Sequence, residues 1–456
     1  MAAPDRTGTE IQQDDHLYRI QGGTSAGSNL FHSFEQFGLK AGEVGQFLSQ
    51  PGVTNILGRV VGGNPSIIQG VLQVMNPQAN LYLMNPAGIV FGAGASLDIG
   101  GDFFATTADR IGIGGGWFEA TGQNDYAELV GSPRQFAFVN AEPGGILNAG
   151  TLAVGGDLGL VGGTVVNTGQ LSAPQGRVVL AAVPGTSLVN LSQPGMLLSL
   201  EVEQGAIASG ITPLDLPRLL TWDGVTAEGV QRGDVAIAGP IYGQTVDLLA
   251  AGRVSPSDPG LIRTGDGSLS APTVTRFATD PDASLSYLLI DSAIADYHPL
   301  LYNTAPGTIA TVITPDQAGV TVVGDRLSTL AAAGQTVDSV QIFADGQVGN
   351  FWLGRDFVSA ANVADYQQPL QTWAAGLAPD GDILLYSCFT ALGVVGDRVR
   401  AIAPLATSSS KRVPSIPLVT QGANTFSVRV KPPIVNIANC EALTRLALGR
   451  SQFGIS

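Results

Sequence analysis

A short repeat is the feature that most restricts how this chain can fold. The segment ILNAGTLAV begins at Ile146, and VVNTGQLSA begins nineteen residues later at Val165. Both follow the pattern apolar-apolar-Asn-x-Gly-x-Leu, and SLVNLSQPG from Ser187 resembles a further degenerate copy. A period of about 20 residues is short for a helical repeat and is typical of one coil of a parallel β-solenoid.

The surrounding sequence supplies the short strands and turns that such a coil needs. From Asn80 to Phe103, apolar residues alternate with others, and Asn-Pro and glycine-rich turns interrupt them every few residues. The chain has 60 glycines and 44% hydrophobic residues, with only 13% charged, which argues against disorder and against an ordinary helical enzyme. Asparagines at equivalent corners could stack into ladders, and the exposed end of the stack requires a cap, which we place at residues 8–45.

Charge and cysteine content exclude several functions. The net charge of −15 makes a nucleic-acid partner improbable, because phosphate binding needs a basic surface. Two cysteines, Cys388 and Cys440, provide neither a disulfide framework nor a cysteine zinc site. We predict no metal site and no cofactor. No apolar run is long enough to span a membrane, and the first residues lack a signal peptide, which we expect has been removed.

The pattern changes to alternating strands and helices after residue 285. LSYLLID, TIATVITP, DSVQIFADG and DILLYSC are candidate strands, and helical segments separate them. This alternation predicts a parallel sheet with helices on its faces. We therefore expect a β-helix domain over 8–200, a β extension and linker over 201–284, an α/β domain over 285–405 and a tail over 406–456.

Two motifs in the first half resemble the N-terminal secretion domain of filamentous-haemagglutinin-type exoproteins, the two-partner secretion family. They are GSNLFHSFEQF, from Gly27, and MNPAGIVFG, from Met84. The resemblance implies a right-handed parallel β-helix with a capped N-terminus, recognised by a partner outer-membrane barrel with periplasmic receptor domains. The residues that match the secretion motifs are Asn29, Phe31, His32, Phe34, Asn85, Pro86, Gly88 and Ile89.

Either of two roles suits the Asn-Pro-Ala-Gly segment. The secretion partner could recognise Asn85 and its neighbours, or the segment could be a β-helix corner that fixes strand register, and both can hold. Ala87 stands where the family often has Asn, and no clean copy of its Asn-Pro-Asn-Leu element is present. His32 is expected to be a packing residue rather than a metal ligand.

The second half resembles a domain of unknown function that is common in cyanobacterial surface proteins and distantly similar to caspase-type cysteine peptidases. Cys388 is kept in the cysteine position, but Asp345 stands where a histidine is usual. A cysteine nucleophile needs a neighbouring base, and an anion raises the pKa of a thiol instead of lowering it. The resemblance therefore implies an inactive, caspase-like α/β domain.

Three functions follow from these patterns. The first is a secreted or surface exoprotein that acts in adhesion or in the extracellular matrix and binds a surface protein or glycan. The second is a cysteine peptidase or self-processing protein that uses Cys388. The third gives the second half a non-catalytic role in binding a partner or capping the solenoid.

Overall fold

The computed structural model describes residues 1–183, 185–190, 200–201, 230–265, 272–278, 284–347, 349–359, 361–387 and 427–430. These residues fall into two compact units, with the boundary between Pro272 and Thr273. Cys388, Cys440 and the helices expected at GDRVRAIAPLA and NCEALTRLALG lie outside the described residues.

Short strands make up most of the first unit. In chain order they are β1 (Thr9–Asp14), β2 (Leu17–Gly22), β3 (Thr24–Ala26), β4 (Asn29–Phe34), β5 (Val44–Phe47), β6 (Asn55–Val60), β7 (Ser66–Ile68), β8 (Val71–Val74), β9 (Asn80–Met84), β10 (Ile89–Phe91), β11 (Ser96–Asp98), β12 (Phe103–Thr106) and β13 (Arg110–Ile113). They continue with β14 (Gly116–Glu119), β15 (Pro133–Phe138), β16 (Gly145–Asn148), β17 (Thr151–Ala153), β18 (Leu158–Gly162), β19 (Thr164–Asn167), β20 (Gln170–Ala182), β21 (Ser187–Asn190), β22 (Leu200–Glu201), β23 (Val235–Ile237), β24 (Ile241–Ala250), β25 (Val254–Pro256) and β26 (Ile262–Thr264).

Most of these strands pair in parallel in three ladders. The first ladder contains β2, β5, β8, β11, β17, β20, β24 and β26. The second contains β4, β6, β9, β12, β18 and the later parts of β20 and β24. The third contains β7, β10, β16, β19, β23 and β25. The chain visits the second, third and first ladders in turn, so each circuit is one coil of a parallel β-helix.

The repeat marks two successive coils of this helix, as predicted. Ile146 pairs with Val165 and Asn148 with Asn167 in the third ladder. The following coil continues the register, since Val165 pairs with Val235. Inward-facing apolar residues stack along the helix, and burying each coil against the next explains why such strongly apolar strands are tolerated.

Antiparallel strands cover the N-terminal end, where we expected a cap. The β1–β2 hairpin covers the start of the first ladder, because β2 pairs with β1 on one side and with β5 on the other. The β3–β4 hairpin does the same for the second ladder. Ala2 adds an antiparallel bridge to Phe34. Among the described residues, no antiparallel strand covers the start of the third ladder.

The expected third copy of the repeat is wrong. SLVN, at the start of SLVNLSQPG, is β21, and it pairs antiparallel with β15 instead of joining the third ladder. With β13, β14 and β22 these strands form a separate antiparallel sheet. The Leu-Val-Asn sequence of β21 follows the same apolar-apolar-Asn pattern as β16 and β19, so the local sequence suits either sheet, and pairing with a distant strand decides between them.

Strands and helices alternate in the second unit. The strands are β27 (Thr273–Arg276), β28 (Ser286–Asp291), β29 (Thr308–Ile313), β30 (Val337–Gln347), β31 (Asn350–Leu353), β32 (Asp356–Ser359), β33 (Leu377–Ser387) and β34 (Ser427–Val430). The helices are α1 (His298–Tyr302), α2 (Gly319–Ala332) and α3 (Gln367–Thr372).

The predicted parallel sheet is confirmed in this unit. Its parallel strands lie in the order β29-β28-β30-β33-β34, with β27 antiparallel at the β29 edge. Helix α2 packs Val320, Val323 and Leu327 against the sheet. Two features were not predicted: the β31–β32 hairpin, which extends from the end of β30, and the strand β34 inside the expected tail.

Candidate functional site

The corner between β9 and β10 contains the Asn-Pro-Ala-Gly segment. Asn85 is fully buried there. Its Oδ1 accepts a hydrogen bond from the Ala87 N–H at 3.0 Å, which closes the turn. Its Nδ2 donates to the Asn64 carbonyl at 3.0 Å and to Ser66 Oγ at 2.9 Å, both in the preceding coil. Because one amide supplies donors and an acceptor in fixed positions, Asn85 fastens this corner to the coil before it.

The other motif residues at this corner also face neighbouring coils. Gly88 has φ +119°, a conformation that other L-residues rarely adopt. The Pro86 carbonyl accepts from the Gly144 N–H, at 3.2 Å, in the following coil. Ile89 is fully buried in the third ladder. Only Pro86 and Ala87 are partly exposed, so the folded corner offers little surface to a partner.

Asn29 begins a ladder of polar side chains that runs along the second ladder of strands. Its Nδ2 donates to the Leu129 and Gly131 carbonyls at 2.9 and 2.8 Å, and its Oδ1 accepts from Asn55 Nδ2 at 2.8 Å. Successive coils then extend the series, which we call the corner ladder: Asn29, Asn55, Asn80, Asp102, Asp157 and Arg177, each linked to the next at 2.8 to 3.0 Å. The predicted stacking of corner asparagines is confirmed here.

The aromatic motif residues on β4 are core residues of the cap. Phe31 packs against Phe118 and Tyr126 at ring-centroid distances of 4.9 and 5.1 Å. Phe34 packs against Phe37 at 4.8 Å. Both phenylalanines are fully buried. They close the end of the apolar interior, which is a structural role.

His32 is fully buried beside Phe34 and Phe47, with ring-centroid distances of 6.2 and 5.8 Å. Neither ring nitrogen has a hydrogen-bond partner among the described residues. Burial disfavours the charged imidazolium and lowers the pKa of His32 to about 4. The side chain is therefore neutral near pH 7 and packs among the aromatic rings, but within the described part of the chain its ring nitrogens are not hydrogen-bonded as those of a satisfied packing histidine would be.

Arg59 is the most important residue in this region that the sequence analysis missed. It is 1% exposed, and its guanidinium donates to Ser33 Oγ at 3.1 Å, to the Glu119 carbonyl at 2.7 Å and to Asp5 Oδ2 at 2.8 Å. Burial alone would raise the pKa of Asp5, but hydrogen bonds from Ser33, Thr7 and Arg59 outweigh it and lower the pKa to about 2. A single arginine among the apolar residues of NILGRVVGG was the available signal.

In the second unit, acidic residues lie near the carboxyl ends of β28 and β30. Asp345 is exposed in β30, and its Oδ1 accepts from the Gly346 N–H at 2.8 Å. Asp291 is 2% exposed and accepts from the N–H groups of Ala293 and Gly354, at 2.7 and 2.6 Å. Burial raises the pKa of Asp291, and the charge of Asp345 adds to that rise. Ser387 ends β33, and Cys388 follows it outside the described residues.

Neither a membrane helix nor a metal cluster occurs in the part of the chain that the structure describes. No helix among those residues is long and apolar enough to cross a bilayer. No group of three or more His, Cys, Asp or Glu side chains there could hold a metal ion.

Comparisons with known families divide the chain in a similar place. The family model described as the TPS secretion domain matches residues 1–235. A second model, described as a domain of unknown function (DUF4347), matches residues 287–413. A search of curated proteins finds no match.

Solved secretion domains are among the structures to which the chain is similar. The HMW1 secretion domain from Haemophilus influenzae is 15% identical, with a TM-score of 0.36, and the match covers 83% of this chain and 73% of that one. The filamentous hemagglutinin secretion domain is 16% identical, with a TM-score of 0.35, and the match covers 75% of this chain and 88% of that one.

Proposed function

The chain belongs to the TPS secretion domain family, and we propose on that premise that it acts in adhesion or in the extracellular matrix. As a two-partner secretion exoprotein, it has an outer-membrane transporter as its partner and is secreted to the extracellular space or the cell surface. The proposed receptor is a surface protein or a glycan. The observation that carries the proposal is the stack of parallel coils, which presents long strand faces.

We propose that the transporter's periplasmic domains recognise the motif residues before the helix folds. The burial of Asn29, Asn85 and Ile89 supports this order, because the folded β-helix hides the side chains that a partner would have to contact. Folding outside the cell would then draw the chain outward, since each new coil gains its hydrogen bonds and its apolar contacts from the preceding one.

Export from cells that carry or lack the transporter tests the secretion step. The full chain, behind a signal peptide, is expected in the medium only when the transporter is present. The matched control is residues 273–456 behind the same signal peptide, which should remain in the periplasm in both strains. Equal amounts of the full chain in the medium of both strains would refute the role.

The adhesion step needs a separate measurement. Purified chain is expected to bind to a surface coated with host or matrix glycoproteins and to be retained after washing. Enzymatic removal of the glycans separates a glycan receptor from a protein receptor. Retention no greater than that of an unrelated acidic protein of similar size would contradict an adhesive role.

For the second unit we propose a non-catalytic role in binding or capping. The sequence supports this, because Asp345 stands where the resembled family has a histidine, and an anion in that position disfavours the thiolate that a cysteine peptidase uses. Labelling of Cys388 with a thiol reagent across pH tests it. We expect a midpoint at or above about 8.5, the ordinary thiol range. A midpoint below about 7 would favour the peptidase alternative.

A further inference from the structure

The end of β30 and the β31–β32 hairpin form a small antiparallel sheet with one buried and one exposed face. Phe351 pairs with Val358, and both side chains belong to the hydrophobic core of the second unit. Because successive side chains of a strand point to opposite faces, their neighbours along the strands face solvent. These neighbours form one row across three strands, which we call the exposed row: Trp352 pairs with Asp345 on one side and with Phe357 on the other.

Two aromatic rings lie side by side in the exposed row. The Trp352 and Phe357 ring centroids are 4.8 Å apart, and the ring planes are tilted by 46°. Phe357 is 38% exposed, and Trp352 is half-buried. Among the described residues, no arginine or lysine lies over either ring. The row therefore presents aromatic surface to solvent, and the electron-rich faces of such rings attract cations.

A carboxylate without a counter-charge stands beside the aromatic pair. Asp345 is exposed, and its Oδ1 accepts from the Gly346 N–H at 2.8 Å. No ion pair of Asp345 occurs within the described part of the chain. The basic residue of the hairpin, Arg355, lies in its turn, with Nη1 3.5 Å from the Asp316 carbonyl oxygen. Aromatic surface and an unpaired negative charge are together complementary to a cation.

The same combination of groups elsewhere in the chain is occupied by an arginine. On the β13–β14 hairpin, the Arg110 guanidinium carbon lies 4.9 Å from the Trp117 ring centroid, and Arg110 Nη1 is 3.8 Å from Glu119 Oε1. A guanidinium is planar, so it can stack on a ring and donate to a carboxylate at the same time, whereas a lysine ammonium is a compact and strongly hydrated charge. The exposed row offers the same two groups on the same kind of hairpin, and among the described residues no arginine supplies the third.

We propose that the exposed row binds an arginine side chain of a partner protein. The guanidinium would lie over Trp352 and Phe357 and donate to the Asp345 carboxylate. The net charge of −15 would favour the approach of a basic segment. The inference rests on the non-catalytic binding role that we propose for the second unit, and it gives that role a ligand group.

Ligand-observed NMR of the full chain tests this inference with small peptides. Saturation transfer from the protein is measured to acetylated and amidated Gly-Arg-Gly, and to the same peptide with citrulline or lysine, in about 0.15 M salt to screen the net charge. Citrulline keeps the planar shape of the side chain but not its charge. The citrulline and lysine peptides should each bind at least about threefold more weakly than the arginine peptide. Binding of either as tight as that of the arginine peptide, or no transfer to the arginine peptide at millimolar concentration, would overturn the proposal.

Methyl glucoside, measured in the same way, tests a glycan as the alternative occupant. We expect less transfer to the glucoside than to the arginine peptide, and no competition between them. Displacement of the arginine peptide by the glucoside would assign the exposed row to a glycan and overturn the proposal.

Substitutions in the second unit locate the binding. Asp345→Asn removes the carboxylate charge and Trp352→Leu removes the ring, and each should weaken binding of the arginine peptide about threefold or more. Asp325→Asn is the matched control, because it removes an equal charge from an exposed residue of helix α2, and it should change binding less than about 1.5-fold. Equal weakening by the two Asp→Asn variants would contradict a site at the exposed row. If Trp352→Leu fails to fold, the arginine and citrulline peptides on the unmodified chain still decide.

Failure of this site and failure of the proposed function give different results. A Cys388 labelling midpoint below about 7 would contradict the non-catalytic role, whereas binding of the arginine peptide could still be measured. With an ordinary thiol midpoint, the absence of arginine-specific binding would contradict the exposed row alone.

Discussion

At the scale of single residues, two buried polar side chains near the N-terminal end, Arg59 and His32, differ in whether they are hydrogen-bonded. Arg59 has its donors satisfied by a carboxylate, a hydroxyl and backbone carbonyls, whereas His32 is packed among aromatic rings with no partner among the described residues. The first arrangement fixes several segments to one another. The second stabilises the cap only while the imidazole remains neutral. The two residues therefore predict different responses to substitution and to pH.

Acid should weaken the cap through His32. The folded pKa of about 4 lies below the ordinary value of 6.5, so the unfolded chain binds a proton more readily, and stability is lost as the pH falls from about 6.5 to 4. Between pH 7.5 and 5 this loss is about 2 kcal/mol. We expect His32→Leu to remove that part of the pH dependence in urea unfolding.

The exposed His16 provides the control for this prediction. Its side chain is 71% exposed, so His16→Gln is the matched replacement of a histidine that is not buried. A His32→Leu variant that keeps the full loss of stability between pH 7.5 and 5 would show that burial of the imidazole is not its cause.

Removing the Arg59 guanidinium should be strongly destabilising. Arg59→Met leaves the Asp5 carboxylate, Ser33 and the Glu119 carbonyl without their shared donor. A loss of about 3–5 kcal/mol in the free energy of unfolding is expected, as for other broken buried ion pairs. Arg19→Met is the control, because Arg19 forms an exposed pair with Asp14 and should cost less than about 1 kcal/mol. Similar losses in the two variants would contradict a buried clamp.

At the scale of elements, corners determine how one coil is joined to the next. Asn85 bonds to the coil before it, and the Pro86 carbonyl bonds to the coil after it. The corner ladder does the same over more coils through Asn29, Asn55 and Asn80. Polar contacts at the corners supplement the parallel strand pairing and fix its register.

Breaking one rung of the corner ladder should affect both neighbours. Asn55→Ala leaves the Asn29 Oδ1 and the Asn80 Nδ2 without their partner, and Asn55 is only 3% exposed. We expect a loss of about 2–3 kcal/mol in chemical unfolding. Asn64→Ala, at an exposed side chain, should change stability by less than about 0.5 kcal/mol. A neutral Asn55→Ala would mean that the ladder contributes nothing to stability.

The elements also show how far the sequence could predict the fold. The spacing from Ile146 to Val165 predicted stacked coils, because no insertion separates these two coils and their equivalent residues therefore repeat in the local sequence. The pairing of β21 with β15 could not be predicted, because it depends on strands that are distant in sequence and β21 has the same apolar-apolar-Asn pattern as the coil strands β16 and β19. In the site, Asn85 was identified, but its burial and its bond to Asn64 are tertiary features. Arg59 was missed for the same reason, since its partners come from three separate segments.

At the scale of the whole molecule, the chain contains two units with different chemistry. The first is a β-helix whose coils satisfy one another, and it carries the family match over residues 1–235. The second is a parallel α/β sheet that matches a domain of unknown function. The proposed recognition by the transporter belongs to the first unit, and the proposed binding or capping role belongs to the second.

The stacking of coils is the claim on which this account depends, and cysteine cross-linking tests it directly. Gln46, Gln73 and Asp98 occupy equivalent positions in three successive coils and are hydrogen-bonded in series at 2.6 Å. With Cys388 and Cys440 replaced by serine, the pair Gln73→Cys and Asp98→Cys should form a disulfide under mild oxidation. The pair Gln46→Cys and Asp98→Cys, two coils apart, should not, because about 10 Å between strands is beyond disulfide reach. A disulfide in the distant pair, or none in the adjacent pair, would contradict the stacked register.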